Sequence, residues 1–206
     1  MKKGGALLSA LLSLVFTSFA VADPVDNPGD FTLGFDSGRI KIGSLDPSDF
    51  SGVTFAGTVL DTAGNISATV AVADITISGT PLGDVILHFV PLSDVAGSLD
   101  AVTGLTTLSV SVQMFLVNPN FPPECRIDRM DIALTTDTDG TLTGIPYAMT
   151  DGTATYVNNS FSVPTTTGCG FIFGPLIDSY AGLPADPGVN YIDNLHGAFS
   201  TIFTGS

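Results

Sequence analysis

Between Leu108 and Leu116 the residues alternate: Leu108, Val110, Val112, Met114 and Leu116 are apolar, and Ser109, Ser111 and Gln113 between them are polar, Phe115 alone departing from the pattern. A period of two places alternate side chains on opposite faces of a strand, so this segment is a β-strand with one buried face. The same pattern recurs at Phe31, Leu33 and Phe35, at Val53, Phe55 and Val59, and more briefly at 75–79, 84–90 and 161–163. Asp36-Ser37-Gly38 reads as a turn, after which Ile40 and Ile42 resume the alternation. The apolar phase slips near Ala73 and Asp74, which predicts a β-bulge or a bend.

Three segments share a hairpin plan, a short strand, a polar turn and a second strand: 57–70, 97–110 and 152–163. Their turns fall at 61–65, at 100–104 and at Asn158-Asn159, where Gly and Asn tolerate positive φ. The unequal spacing makes this a repeated theme and not a solenoid period. One segment reads as helix, a short crossover near 175–181 within 174–184, with Pro175 in its first turn and Gly182 and Pro184 as its stop. Residues 118–125 are Pro-rich and read as a loop leading to Cys125. These elements predict an all-β fold, an antiparallel β-sandwich of about ten to twelve short strands with one short helix.

The amino terminus reads as an address. Lys2 and Lys3 precede an apolar run from Ala6 to Ala20, and Ala20-Val21-Ala22 fits a signal-peptidase site before Asp23. The expected organisation is a signal peptide over 1–22 and a single all-β domain over 23–206. The rival reading, a membrane anchor, needs about 20 apolar residues and a basic flank. No transmembrane span is expected in the mature chain, which is placed outside the cell or in the cell envelope. Cleavage removes two of the six Lys+Arg and none of the 20 Asp+Glu. So acidic a chain lacks the basic surface that nucleic acid demands, so no nucleic-acid partner is expected.

Cys125 and Cys169 are the two cysteines. An even count in an exported chain reads as a disulfide; the alternatives are a reactive thiolate or a metal ligand. The acids comprise 19 Asp and one Glu, Glu124, and Asp favours turns through its short capping side chain. Carboxylate-rich loops also suit calcium, and Asp137 and Asp139 in Asp137-Thr138-Asp139-Gly140 are the candidate pair. That loop lacks the bidentate Glu of an EF-hand and equally makes a plain turn. No other metal and no cofactor is expected.

His88 reads as a partly buried strand histidine and His196 as solvent-facing. No nucleophile elbow, zinc-protease, P-loop or dinucleotide motif occurs, so no catalytic residue is assigned and the chain is expected not to be an enzyme. The stretches CRIDRMDIALTTDTDGTLTGIPY at 125–147 and GTATYVNNSFSVPTTTGCGFIFGPLIDSYAGLP at 152–184 resemble a class of exported, all-β bacterial proteins of undefined function. Asp128 and Arg129 stand where that class would have Gly-Pro. The resemblance implies export, a Cys125–Cys169 bond and a β fold. The expected role is a structural or adhesive one as an extracellular-matrix or envelope component. The rivals are a glycan-binding or calcium-dependent module, a secreted hydrolase and an outer-membrane barrel. Four tyrosines and no Trp offer little for stacking sugars.

Overall fold

A computed structural model describes residues 29–59, 63–100, 102–148 and 151–200. The expected signal peptide lies outside the described residues. The strands are β1 (Asp30–Lys41), β2 (Ser48–Phe50), β3 (Val53–Val59), β4 (Asn65–Val72), β5 (Ile75–Thr80), β6 (Gly83–Pro91), β7 (Val95–Leu99) and β8 (Thr106–Val117). They continue with β9 (Arg126–Thr135), β10 (Thr138–Asp139), β11 (Leu142–Thr143), β12 (Ile145–Ala148), β13 (Thr153–Asn158), β14 (Thr166–Thr167) and β15 (Tyr191–Ser200). A helix, α1 (Gly170–Ala181), precedes β15.

The described residues are all-β with one helix, but the main sheet closes on itself instead of forming two stacked layers. Around the ring run β1, β3, β4, β7, β8, β9, β13 and β15, and β15 returns to β1 through pairs such as Leu33↔Phe199 and Ile40↔Ile192. All these pairings are antiparallel, and each stave neighbours the next in sequence. This is an eight-staved up-and-down barrel. β2, β5 and β6 lengthen its staves: β2 and β3 pair successively along β1, and β6 and β7 along β8. β4 and β5 likewise lie successively along β7 and β6. The expected slip at Ala73-Asp74 is the break between β4 and β5.

Alternation selects the inward face. Phe31, Leu33, Phe35, Phe55, Leu108, Val110, Val112 and Met114 are all buried, while Thr69, Thr107, Ser109 and Arg129 point outward and are exposed. Inside, Phe35 packs edge-on against Phe55 and Tyr156, with ring centroids 5.2 and 5.5 Å apart. Such contacts add about 0.5–1.5 kcal/mol each beyond burial.

Several local expectations are corrected. Asp36-Ser37-Gly38 is not a turn: β1 runs through it, and register shifts on either side of Ser37 absorb the change of phase. Asn194 in the facing strand takes φ 50°. The third hairpin does not form either. Asn158 ends β13, its Oδ1 accepting from the N–H groups of Ser160 and Phe161, and residues 161–163 contribute only a bridge from Val163 to Ala185. The helix begins at Gly170, earlier than the sequence suggests, so Pro175 lies in its interior. Proline there has no N–H to donate to the Phe171 carbonyl, so the helix runs on without that bond. The stop is as expected: Gly182 takes the left-handed conformation at φ 67°.

Candidate functional site

Antiparallel order brings the ends of β1, β5 and β8 and the starts of β6, β9 and β15 to one end of the barrel. α1 lies across that end. Gly174, Ile177 and Ala181 form its buried side, and the Ser44 N–H and hydroxyl donate to the carbonyls of Ala181 and Tyr180 at 2.8 and 2.9 Å. The disulfide fixes its start: Cys125, just before β9, is bonded to Cys169, the helix N-cap residue. Both cysteines are buried and neither is free. At the other end of the helix, the leucine after the Gly182 stop donates its N–H to Asp178 O.

Beneath α1 lies a cavity of about 60 Å3. Its walls include Ile42, Val85, Leu87, Met114, Leu116, Ile127, Ile177, Tyr180, Ala181 and Leu183. Deeper in the barrel, Phe55, Val70, Phe89, Val112, Ile132 and Leu195 help line a second cavity of about 60 Å3. Almost every lining side chain is apolar; the exceptions are the Thr80 and Tyr180 hydroxyl-bearing residues of the first cavity. Water gains few partners in such a space, which suits an apolar guest. An eight-stranded barrel has room for packed side chains or for one small ligand.

The interior holds one unusual polar group. Tyr156 is fully buried and its hydroxyl has no hydrogen-bond partner. Burial pushes its phenol well above the usual range.

A second concavity lies outside the barrel, at the register shifts of β1, lined by Asp36, Ser37, Gly38, Arg39, Asp49 and Asn194. Asp36 Oδ1 accepts from Ser37 Oγ at 3.0 Å and meets His196 Nδ1 at 3.2 Å. These hydrogen bonds, Ser37 first and then His196, hold the exposed Asp36 carboxyl below its ordinary value. Serine and imidazole thus both address the carboxylate, whereas a nucleophile–base pair needs the serine on the imidazole. Arg39 is engaged by both oxygens of the buried Asp193, which raises the guanidinium further above its ordinary value.

The residues singled out from the sequence are scattered. His88 faces outward with its side chain half exposed, and it is hydrogen-bonded, Nδ1 lying 2.7 Å from Asp74 Oδ1. His196 lies on β15 beside Asp36. Asp137 Oδ1 accepts from the Thr138 N–H, and Asp139 Oδ2 accepts from the Asn159 N–H. Both candidate calcium ligands therefore cap backbone, and among the described residues no cluster of three His, Cys, Asp or Glu is placed to hold a metal. No described helix is long and apolar enough to cross a membrane.

Most of the cavity residues were visible in the sequence only as apolar strand positions, and those from α1, such as Ile177 and Ala181, only as apolar positions of the expected helix region. Nothing in their spacing marks the points where packing falls short. Comparison with protein-family models, with curated proteins and with solved structures finds no match.

Proposed function

We propose that this is an exported, non-enzymatic binding protein of the cell envelope or extracellular space that holds a small apolar molecule in its barrel. The observation that carries the reading is the cavity of about 60 Å3 between the barrel end and α1, with its predominantly apolar wall. A natural guest would be short and unbranched, or would enter by displacing the α1 side of the wall.

Export is supported by the leader-like pattern at 1–22 and by the buried Cys125–Cys169 bond, which an oxidising compartment sustains. The orientation of the faces argues against lipid around the barrel. A membrane barrel carries its apolar band outside, whereas here Thr69, Thr107, Ser109 and Arg129 face out. Calcium-dependent binding has less support, because Asp137 and Asp139 are already engaged with backbone. A structural or adhesive role is the second reading, favoured by those same Thr- and Ser-bearing outward faces.

The test watches the methyl signals of Met114 and Ile177 by NMR during titration with short hydrocarbons. Ala181→Leu, which directs extra volume into the cavity, serves as the comparison. Saturable shifts in the native protein and their loss in the variant are expected. Native mass spectrometry of protein from its secreting host should show an apolar adduct that the variant lacks. Unmoved methyl signals together with an adduct-free mass would overturn the binding reading and leave the structural one.

A further inference from the structure

We infer that the outer face of α1 seats this protein on an uncharged or zwitterionic lipid surface. The inference deepens the apolar-ligand reading by naming where such a ligand would be collected. It begins from a helix that is apolar on both sides. Gly174, Ile177 and Ala181 are buried against the barrel, yet Phe171 is 91% exposed, Ile172 59%, Leu176 47% and Tyr180 43%. Ile172, Leu176 and Tyr180 follow one another at intervals of four, so they form a single stripe, with Phe171 at its head.

A helix of a soluble barrel ordinarily turns charge to solvent. In its 12 residues α1 has one carboxylate, and Asp178 spends it on the Thr166 N–H at 2.8 Å. No Lys or Arg occurs in the helix.

Area and charge select the occupant. The four side chains expose roughly 400–500 Å2, a size typical of interaction patches but only about half of what each partner of a stable protein interface buries. Pairing two copies through this face would also bring together two strongly acidic chains, since the full sequence already carries −14 before the two leader lysines are lost. The same charge opposes anionic headgroups. A neutral lipid surface meets neither objection: it admits Phe, Ile and Leu to the acyl boundary and Tyr to the headgroup level. Tyr180 joins this face to the interior, because it belongs both to the exposed stripe and to the cavity wall.

The experiment is flotation of the protein, as recovered from its secreting host, with phosphatidylcholine vesicles. The native protein should float with the lipid. Phe171→Ser combined with Ile172→Ser, both at exposed positions, should lower partitioning about tenfold or more while leaving the circular dichroism and the disulfide unchanged. Ala181→Leu alters the cavity and not the stripe, so it should float like the native protein. Flotation without any bound apolar molecule would thus uphold the docking inference while the ligand reading failed. Absence of flotation at saturating lipid, or equal flotation of the double variant, would overturn it. So would a dimer in sedimentation that the double variant dissolves, which would give the face to a second copy.

Discussion

The side-chain amide of Asn190 accepts the Gly43 N–H at 2.8 Å and ties the chain beyond β1 to the segment that leads into β15. Asn190 is fully buried, and its Nδ2 reaches the carbonyls of Phe161, Ala185 and Asp186 at 3.1–3.2 Å. Gly43 takes φ 54°, and a Cβ there would lie 1.9 Å from Ala181 O. One asparagine therefore satisfies backbone from the barrel rim and from the loops beneath the cap.

Asn190→Ala should lower stability by about 2–4 kcal/mol, because the buried Gly43 N–H and the Phe161 carbonyl lose this partner, while Ala185 O and Asp186 O keep the N–H groups of Val163 and Val189. Denaturant unfolding at neutral pH would measure this. A loss below 0.5 kcal/mol, on the order of an ordinary surface change, would contradict the bridging role.

Replacing Cys125 and Cys169 together by Ala should cost up to about 4 kcal/mol, since the bond closes a long loop. The β signal in circular dichroism should persist, because strand pairing and the barrel core do not pass through the bond. Helix α1 should become the first region to exchange its amide hydrogens. Uniform exchange across barrel and helix would show that the bond supports the whole molecule instead of its cap.

Asp128 accepts from Arg126 Nε, Gln113 Nε2 and Thr167 Oγ1, and so links β9 to β8 and β14. The Arg126 bond, first among these, holds its carboxyl below the usual value, with burial opposing. Asp131 is lowered too, by Ser111 first and then by Arg129. For a lowered carboxyl the stabilisation is complete above the unfolded value of about 3.9 and is lost as pH falls through the folded value. The melting temperature should therefore drop below about pH 4, and Asp128→Asn should flatten part of that decline. An acid limb identical in the variant would remove Asp128 from the account.

Tyr156→Phe should change stability by less than about 1 kcal/mol, or raise it, because the buried hydroxyl has no partner to lose. Tyr156→Ala should cost about 3–5 kcal/mol through the cavity left beside Phe35. Thermal and chemical unfolding of both variants would check the contrast. A large loss in Tyr156→Phe would reveal a hydrogen bond formed by the hydroxyl in solution.

Alternation along 108–116 and 53–59 picked out the inward face of β8 and β3, because a strand's two faces follow from backbone geometry alone; Ser111, on the other face, is also buried, its hydroxyl donating to Asp131. The slip at Ala73-Asp74, the loop before Cys125 and the Gly182 stop were legible for the same local reason: they depend on residues a few positions apart. The turn expected at Asp36-Ser37-Gly38 shows the limit of that reasoning. Locally those residues suit a turn, but pairing with β15 on one side and β2 and β3 on the other keeps the strand running.

Barrel closure was decided only in three dimensions. It rests on backbone hydrogen bonds between β1 and β15, and an apolar face looks the same whether it meets a second sheet or its own far side. The exposure of His88 likewise followed from which face of β6 turned inward. The cavity beneath α1 and the bare outer face of that helix depend on how well side chains from distant segments fill one space. Sequence by itself determined most strands and their faces and pointed to the cysteine bond as one reading; tertiary pairing decided closure, cap, cavity and the meeting of Cys125 with Cys169, because those depend on contacts between residues that the chain keeps far apart.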